Sequence, residues 1–520
     1  MSFNPNDYDT QTRAALAVLM ETDAYKLDHR RQYPAGTEFV YSNLTARASR
    51  VAGVDWTVFF GLQAYIIDLK DRWQRFFDAD ADEACRAYEE RTTDIVGPNG
   101  IGSEHIRQLH GYGRLPLRFC ALPEGTVTPV GIPYLTVENT DPRFFWLTNY
   151  IETDMSAALW QPITSATTAW NNRRLLDQRA QASGVDTAAV DWQGHDFSAR
   201  GMAGMAAAAA SGAAHLLSFT GTDSLSALDW IDRFYPGSPQ GTVIGGSVPA
   251  TEHSVMTSAG PEGESAIFER LLELYPSGIV SVVSDSFDLW QVLTTFLPTL
   301  REKIMARDGK LVIRPDSGDP ELILCGDPHA AEGSPQRAGV VNLLAEVFGT
   351  KENSAGYREL DPHVGVIYGD SITFDRADSI TANLMSQGYV STTPVFGFGS
   401  YTYQYCTRDT FSLAVKATWV QVDGQGRDIF KDPITAGGTK RSARGRLAVH
   451  ATADGSMTLL QQATAAQEQG SQLSVVFDDG AFVGAGSTFT NVRDELRASW
   501  NRLSPTVSGA TEREGVQAPA

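Results

Sequence analysis

Three short glycine-containing segments carry the residue types that bind phosphate groups: RPDSG (Arg314–Gly318), GD (Gly369–Asp370) and GFGS (Gly397–Ser400). An arginine can donate two parallel hydrogen bonds to a phosphate, and an aspartate can contact a sugar diol or a metal-bound diphosphate. Glycine lets backbone N–H groups approach an anion. Each segment alone could be a turn that caps a helix, but the three together favour a phosphate-bearing ligand.

A histidine next to an acid offers a second kind of chemistry. His253 follows Glu252 in SVPATEHS, where it could act as a base, accept a phosphoryl group or be a hydrogen-bonded structural residue. His195, in HDFSARG, is interpreted as a residue that supports the fold. The sequence has no P-loop, HExxH, GxSxG or complete GxGxxG motif, which argues against the commonest nucleotide hydrolases, zinc proteases, serine hydrolases and dinucleotide-binding enzymes.

The charge balance limits the partners. The chain has 520 residues, with 42 Lys and Arg against 62 Asp and Glu, and a formal net charge of −20. Such an acidic protein is not expected to bind nucleic acid or an anionic membrane. A phosphate ligand must therefore meet a local basic cluster. The candidates are Arg47, Lys416, Lys431 and the segment KRSARGR (Lys440–Arg446), although this segment could equally be a solvated surface run.

Repeated strand and helix units must position these residues. Residues that end short apolar runs, most of them polar or glycine, recur about every 30 residues, the length of one strand, one helix and their loops, apart from one gap of 54 residues that holds a loop-rich insertion. Such units close into a barrel or form a doubly wound sheet, and both place their site at the strand ends. We predict the barrel. The run ends are Phe197, Asp223, His253, Asp285, Asp316, Asp370 and Gly399.

The flanks of the barrel are rich in β-branched and aromatic residues and predict a second, mostly antiparallel β-domain. The fold class is therefore α/β, an irregular α/β barrel with a second β-domain. Residues 503–520 lack core-forming side chains and predict a disordered tail. The predicted divisions are an N-terminal segment 1–38, a discontinuous β-rich domain 39–183 and 403–495, and the barrel 184–402.

The cysteines and the apolar runs indicate in which cellular compartment the protein is expected. The four cysteines are scattered without a CxxC pair, which fits a reducing cytoplasm better than a disulfide framework or a structural zinc site. The N-terminus has no secretory signal pattern. The Ala- and Gly-rich run 201–219 predicts a small-residue helix packed closely against a neighbour, since Ala and Gly have weak membrane-transfer energies. We expect a soluble cytoplasmic protein.

Nine segments, in order along the chain, resemble the nicotinamide phosphoribosyltransferases over roughly residues 20–450. So many ordered matches make the resemblance far more specific than any single loop. The segments are TDAYKLDHRRQYP (22–34), HDFSARG (195–201), GTDS (221–224), SVPATEHS (247–254), SVVSDS (281–286), IRPDSG (313–318), YGD (368–370), FKDP (430–433) and KRSARGRL (440–447).

The resemblance implies a type II phosphoribosyltransferase fold that works as a homodimer with shared active sites. It implies a pentosyltransferase that makes nicotinamide mononucleotide and pyrophosphate from nicotinamide and phosphoribosyl pyrophosphate, with Mg²⁺, in NAD salvage. It also implies that ATP, a coupled co-substrate, phosphorylates a histidine. A nicotinate phosphoribosyltransferase and a non-catalytic protein that binds pyridine nucleotides remain the alternatives.

The resemblance also assigns roles around the pyridine ring. Phe197 would stack on one face of nicotinamide, and Tyr25 of the partner chain on the other. Asp223 would accept a hydrogen bond from the carboxamide and repel the carboxylate of nicotinate, which favours nicotinamide as the substrate. Arg200 and Arg314 would contact the ribose phosphate and the amide oxygen.

At the phosphoribosyl end, Asp285 and Asp316 would contact the ribose and the metal-bound pyrophosphate, and His253 would be the phosphorylated histidine. These three residues and Arg314 form the implied catalytic set. Magnesium would bind through the pyrophosphate, with no protein ligand assigned. The remaining implied contacts are Gly369, Asp370 and Gly399 to the 5′-phosphate, and Arg47, Arg408, Lys416 and Lys431 to pyrophosphate and ATP.

The chain departs from the resemblance at two positions of the phosphate and nucleotide end. Ser400 and Tyr401 stand where relatives often continue a run of glycines. Ala414 stands two residues before Lys416, where the resemblance predicts a serine that contacts phosphate. The segment 321–362 receives no functional assignment.

Overall fold

The computed structural model describes residues 3–98, 100–431, 442–452 and 456–507. The chain divides into two compact units, each assembled from separate stretches of sequence. The first contains 1–167, 232–238 and 407–520, so far as these are described, and the second contains 168–231 and 239–406. Of the predicted tail, 503–507 form the end of a helix and the rest lies outside the described residues, as do Lys440 and Arg441.

Strands and helices alternate through the middle of the chain. The strands are β1 (Thr37–Ala46), β2 (Trp56–Val58), β3 (Leu117–Ala121), β4 (Val127–Pro129), β5 (Pro133–Asn139), β6 (Gly194–Asp196), β7 (Gly221–Thr222), β8 (Ser277–Val283), β9 (Asp308–Arg314), β10 (Thr350–Glu352), β11 (Arg358–Leu360), β12 (Val364–Tyr368), β13 (Pro394–Phe398), β14 (Leu413–Val422), β15 (Gln425–Asp428), β16 (Leu447–Ala451), β17 (Met457–Gln461), β18 (Ser474–Asp478) and β19 (Ala481–Phe482).

The helices are α1 (Thr10–Leu19), α2 (His29–Gln32), α3 (Leu62–Phe77), α4 (Ala81–Val96), α5 (Glu104–Tyr112), α6 (Leu147–Tyr150), α7 (Glu152–Ala182), α8 (Met205–His215), α9 (Leu225–Phe234), α10 (His253–Thr257), α11 (Glu264–Leu274), α12 (Leu289–Gln291), α13 (Leu297–Met305), α14 (Pro320–Cys325), α15 (Pro335–Phe348), α16 (Phe374–Ser386), α17 (Ser400–Tyr403), α18 (Ala465–Gln469) and α19 (Phe489–Val507). None of the helices in the described ranges is long and apolar enough to cross a membrane.

The first unit is built on an antiparallel sheet with the strand order β15-β14-β1-β5-β3-β18-β19. Strand β1 lies between β14 and β5, with Val40 opposite Val420 and Leu44 opposite Leu135. Residues of β3 alternate between buried and half-buried, as expected for a sheet with one face on the core. The sheet confirms the mostly antiparallel β-domain that the sequence predicts.

A tight turn in this unit buries a carboxyl group. Glu124 accepts a hydrogen bond from the backbone N–H of Gln63 in the first turn of α3, at 3.2 Å. Burial raises the pKa of this carboxyl to about 7, although hydrogen bonds from Tyr235 and the backbone oppose the shift. The next residue, Gly125, has φ +91, and a Cβ there would lie 2.3 Å from the carbonyl oxygen of Val492. The turn therefore requires glycine after the buried glutamate.

The second unit contains a parallel sheet with the order β7-β6-β13-β12-β9-β8. Every neighbouring pair in it is parallel, and helices connect most strands, as in repeated βα units. The residues that form its core include Val282, Ile313, Val366, Tyr368 and Phe396.

An irregular segment closes this sheet into a barrel. Gly246 exchanges backbone hydrogen bonds with Thr220 and Thr222 beside one edge strand, at 2.9 Å each. Three residues further on, the carbonyl of Pro249 accepts from Ser281 N–H on the other edge strand, at 2.9 Å, and Thr251 donates back at 3.0 Å. Proline has no N–H to donate, so the segment makes isolated bridges and no continuous strand.

This irregular segment corrects one detail of the predicted repeat. Six of the predicted run ends lie within two residues of the end of a strand of the sheet, but His253 follows the closing segment and is the first residue of α10. The prediction of an irregular α/β barrel is confirmed, with its irregularity located at residues 245–252.

The Ala- and Gly-rich stretch forms a buried helix, α8, as predicted. A Cβ at Gly212 would lie 2.8 Å from Ala227 Cβ, so the absence of a side chain lets α8 approach the following helix closely. His215 at the end of α8 is fully buried. Its Nδ1 lies 2.6 Å from the Tyr403 hydroxyl and its Nε2 lies 3.0 Å from the carbonyl of Gly221, which anchors α17 and β7 to the helix.

We expect the substitution Glu124→Gln to stabilise the protein increasingly as pH rises. The folded-state pKa of Glu124 lies above the ordinary value of 4.5, so folding favours the protonated carboxyl, and wild-type stability falls as pH rises from 4.5 towards about 7. The advantage of Glu124→Gln in unfolding free energy should grow by about 1 kcal/mol between about pH 6 and pH 8.5.

Calorimetry or denaturant titration at both pH values measures this difference. Substitution of the exposed Glu332 by Gln is the control and should change stability equally at the two pH values. An advantage of Glu124→Gln that is the same at both pH values would contradict the buried, protonated state.

Candidate active site

A cavity of about 670 Å³ opens at the carboxyl ends of the barrel strands. Its lining includes Ser400, Tyr401 and Glu252, the last of which is the sequence neighbour of His253 and was not predicted as a site residue. The residues predicted for the site that line it are Phe197, Arg200, Asp223, Arg314, Asp316, Gly369, Asp370 and Gly399.

Phe197 forms the aromatic wall of this cavity. Its backbone N–H donates to the carbonyl of Phe398 at 2.9 Å, which extends the pairing of β6 with β13. A Cβ at Gly397 would lie 2.4 Å from Cδ2 of the ring and 2.7 Å from Gly369 Cα, so the ring occupies space that only a glycine leaves free. The Arg314 guanidinium lies 5.2 Å from the ring centroid, within the range of a cation–π contact.

Asp223 presents an ionised carboxylate beside this ring. Its Oδ1 accepts hydrogen bonds from His195 Nε2, at 3.0 Å, and from Ser247 Oγ. Burial opposes ionisation, but these two hydrogen bonds and the positive charge of Arg314 hold the pKa of Asp223 below its ordinary value. The carboxylate therefore carries a full negative charge at neutral pH.

The RPDSG loop is held by Asp285. One oxygen, Oδ2, accepts from the Asp316 N–H at 2.8 Å and from Ser317 Oγ at 2.6 Å. Asp285 lies behind the loop and is not among the residues that line the cavity. The Nε of Arg314 is buried and has no hydrogen-bond partner within the described residues, so the guanidinium keeps donor capacity for a ligand.

His253 lies next to Asp316 at the edge of the cavity. Its Nε2 is 3.9 Å from Asp316 Oδ2, and its Nδ1 is 3.2 Å from Ser286 Oγ. Half of the imidazole surface is exposed. The ring is therefore accessible to a ligand and is oriented by a hydroxyl group on one side and a carboxylate on the other.

The cavity itself is more acidic than basic. Arg200 and Arg314 are its cations, and Asp223, Glu252, Asp316 and Asp370 are among its anions. No group of three His, Cys, Asp or Glu side chains in the described part of the chain is arranged to hold a metal ion alone. A polyphosphate bound here would need additional positive charge from a metal ion or another basic surface.

A second cavity, of about 380 Å³, lies inside the barrel. It shares Phe197, Asp223, Ala250 and Arg314 with the first cavity and is otherwise lined mainly by apolar residues such as Val312. These four shared residues therefore form the boundary between a polar cavity at the strand ends and an apolar cavity in the barrel interior.

The first unit has a basic cavity of its own, of about 570 Å³, lined by Arg47, Lys416 and Arg444. Partial desolvation and the positive charge of Arg47 lower the pKa of Lys416. Ala414 lines this cavity, and the hydroxyl-bearing Ser412 lies beside it, with its carbonyl accepting from Arg47 Nε at 3.2 Å.

The remaining residues predicted for the site lie elsewhere in the first unit. Arg408 pairs with Asp409, and Lys431 is exposed, and neither lines the basic cavity. Tyr25 is 63% exposed, with Lys26 Nζ 5.4 Å from its ring centroid. The single chain therefore leaves this aromatic side chain uncovered.

Arg446, in the KRSARGR segment, has a structural role. It forms ion pairs with Glu138 and Glu468 at 2.8 Å each and lies over the rings of Tyr41 and Trp419. Of the basic residues of this segment that the structure describes, only Arg444 lines the cavity. The interpretation of a cationic rim thus applies to part of the segment only.

Two family models, both of pyridine phosphoribosyltransferases, match separate parts of the chain. A family model described as the nicotinate phosphoribosyltransferase (NAPRTase) family matches residues 192–481, and a model of the N-terminal domain of nicotinamide phosphoribosyltransferase matches residues 17–119. Among solved structures, nicotinate-nucleotide pyrophosphorylase from Pyrococcus furiosus has a TM-score of 0.58 at 14% identity, over 96% of this chain and 97% of that one. Human nicotinic acid phosphoribosyltransferase has a TM-score of 0.53 at 16% identity, over 96% of each chain.

Similar sequences cover nearly the whole chain. The nicotinamide phosphoribosyltransferase of Acinetobacter baylyi is 49% identical over 488 residues, which are 91% of this chain and 96% of that protein. That of Xanthomonas campestris is 36% identical over 472 residues, or 89% of this chain and 94% of that protein. The chain therefore belongs to the nicotinate phosphoribosyltransferase (NAPRTase) family.

Proposed function

We propose that this protein is a nicotinamide phosphoribosyltransferase, a pentosyltransferase of NAD salvage. It transfers the 5-phosphoribosyl group of phosphoribosyl pyrophosphate to the ring nitrogen of nicotinamide and releases pyrophosphate. The observation that carries the proposal is the ionised Asp223 beside the Phe197 ring, at the strand ends that also hold the phosphate-type loops. The relatives from Acinetobacter baylyi and Xanthomonas campestris carry the same activity in their names.

Asp223 and Phe197 supply pyridine recognition. Stacking on Phe197 contributes affinity for an aromatic ring, and Asp223 Oδ2, which is not used by His195 or Ser247, accepts from the carboxamide N–H. Nicotinate would place a second carboxylate against the first, with Arg314 as the nearby cation. The like-charge contact in a partly buried site disfavours nicotinate as substrate.

The reaction requires positioning and charge stabilisation more than covalent chemistry. As the bond from ribose C1 to pyrophosphate breaks, C1 gains oxocarbenium character and the pyridine nitrogen forms the new bond. Gly369, Asp370 and Gly399 surround the 5′-phosphate in this proposal, and Asp285 holds the loop that presents Asp316 to the ribose and pyrophosphate.

Magnesium fits the donor chemistry of this cavity. Asp316 and Asp370 offer hard carboxylate oxygens, the ligand type that Mg²⁺ prefers, and Mg²⁺ commonly keeps part of its coordination for substrate phosphates. The ion would offset the excess of acidic side chains and stabilise the leaving pyrophosphate. We therefore propose that Mg²⁺ binds mainly through the pyrophosphate.

ATP is proposed as a coupled co-substrate that phosphorylates His253. An imidazole nitrogen attacks the γ-phosphorus, the bond to the β-phosphate oxygen breaks and ADP leaves. The exposure of His253 and its position 3.9 Å from Asp316 support this role. Hydrolysis of the resulting phosphoimidazole would return the free histidine and inorganic phosphate.

The acidic site of one chain and the basic cavity of the first unit support a homodimer. Arg47, Lys416 and Arg444 would supply, from the partner chain, the positive charge that the barrel cavity lacks. Tyr25 of the partner chain would cover the second face of the pyridine ring, consistent with its exposure in the single chain. Arg408 and Lys431 would extend the same basic surface towards pyrophosphate and ATP.

The proposed activity is tested by product formation from phosphoribosyl pyrophosphate and Mg²⁺ with nicotinamide or nicotinate, each with and without ATP. We expect nicotinamide mononucleotide from the amide and little product from the acid. Asp223→Asn should lower the ratio of kcat/KM for nicotinamide to that for nicotinate at least about tenfold, because the repulsive charge is removed.

Asp370→Asn is the matched control, since it removes a carboxylate from the phosphate end of the same cavity. It should change the KM for phosphoribosyl pyrophosphate and leave the ratio of the two pyridines unaltered. Turnover of nicotinate alone by the wild type would overturn the assignment of the substrate.

Mixing two inactive variants tests the shared site. In a heterodimer of a Tyr25→Ala chain and an Arg314→Ala chain, one site has an intact barrel and an intact partner tyrosine. Random mixing should therefore restore about a quarter of the wild-type activity, since half of the dimers are mixed and each has one complete site. If the mixture is no more active than the separate variants, Tyr25 does not act across a dimer.

Two glycines of the same strand end should differ in their response to alanine. Gly397→Ala should lower the melting temperature and raise the KM for nicotinamide about tenfold, because the new Cβ collides with the Phe197 ring. At Gly399 nothing lies within 4 Å of an added Cβ, so Gly399→Ala should leave stability within about 0.5 kcal/mol. It should instead raise the KM for phosphoribosyl pyrophosphate.

Equal changes of both KM values in the two variants would be inconsistent with the separate roles given to Phe197 and to the phosphate loop. Thermal unfolding and initial-rate kinetics on the same preparations make the comparison.

A further inference from the structure

His195 is a residue of the barrel sheet whose side chain contacts the proposed pyridine site. It belongs to β6, where its backbone pairs with β13 and β7, and its side chain is about 10% exposed. The imidazole Nε2 lies 3.0 Å from Asp223 Oδ1 and its ring centroid lies 4.6 Å from that of Phe197. The side chain thus touches both groups that are proposed to recognise nicotinamide.

The two donors to Asp223 converge on the same oxygen. His195 Nε2 and Ser247 Oγ both donate hydrogen bonds to Oδ1, and no side chain among the described residues is hydrogen-bonded to Oδ2. Ser247 lies in the segment that closes the barrel, whereas His195 lies in the sheet. The carboxylate is therefore fixed from two independent elements, and its second oxygen remains for a ligand.

We propose that His195 is a positioning residue for substrate selection, which acts with Ser247 to fix the Asp223 carboxylate. With Oδ1 occupied by two donors, Asp223 stays ionised and only Oδ2 can accept from a carboxamide. A protonated Asp223 could instead donate a hydrogen bond to the carboxylate of nicotinate. His195 therefore maintains the preference for the amide over the acid.

This inference rests on the proposed role of Asp223. A positioning role for His195 and a mere packing role predict different kinetic effects. Nicotinamide and nicotinate can both stack on Phe197, so displacement of the Phe197 ring would lower kcat/KM for both substrates. Loss of the hydrogen bond to Asp223 would instead change kcat/KM by different factors for the two substrates. The ratio of their kcat/KM values separates the two roles.

The test compares His195→Met with His195→Gln. Methionine retains an apolar side chain of similar length without a donor, and glutamine can place an amide N–H near the position of Nε2. His195→Met should lower the nicotinamide-to-nicotinate ratio of kcat/KM about tenfold, the size expected when a carboxylate loses one hydrogen bond. His195→Gln should keep the ratio within about threefold of the wild type, and both should leave the KM for phosphoribosyl pyrophosphate unchanged.

Ser247→Ala removes the other donor to Oδ1 and does not alter the sheet. It should lower the ratio in the same direction by about threefold to tenfold, and it keeps the test decisive if His195→Met does not fold. A ratio unchanged in Ser247→Ala and His195→Met, or lowered equally by His195→Gln and His195→Met, would overturn the inference.

Failure of the proposed function itself has a different outcome. If the wild type does not use nicotinamide, the substrate assignment fails before the variants are compared. If the wild type uses nicotinamide selectively and His195→Met lowers kcat/KM equally for both substrates, the proposed function stands and His195 is a packing residue only.

Discussion

The site depends on one constraint, the closure of the parallel sheet of the second unit into a barrel. Backbone hydrogen bonds of Gly246 with residues at one edge strand, and of Pro249 and Thr251 with the other, join the two edges of a six-stranded sheet. Closure brings the carboxyl ends of most strands to one cavity, so that residues distant in sequence meet there. The same segment carries Ser247 and leads into His253. The element that completes the barrel therefore also supplies site residues.

The second physical constraint is the neutralisation of an anionic substrate. Phosphoribosyl pyrophosphate is highly anionic, yet the barrel cavity has more carboxylates than guanidinium groups and the whole chain is acidic. The positive charge lies instead around Arg47, Lys416 and Arg444 in the first unit. The proposed Mg²⁺ and the proposed partner chain would each supply positive charge to the barrel cavity, whose own side chains are more acidic than basic.

The proposed recognition of the pyridine ring combines a general contact with a selective one. Phe197 would contribute stacking, which any flat ring can share, while Asp223 would contribute a charge that distinguishes an amide from an acid. The selective group lies in a partly buried position where an isolated carboxylate would tend to bind a proton. The hydrogen bonds from His195 and Ser247 counter that tendency, so the neighbours of Asp223 matter as much as Asp223 itself.

The sequence by itself determined the α/β repeat, the antiparallel second domain and eight of the residues that line the barrel cavity. Strand periodicity and ordered motifs are local properties that can be read along the chain. Only the tertiary structure decided that His195 and Ser247 converge on Asp223, that Asp285 supports the RPDSG loop from behind, and that Arg446 is paired within its own unit. These contacts join residues that are 24 to 308 positions apart. Their distances and directions depend on strand order and barrel closure, which no local pattern specifies.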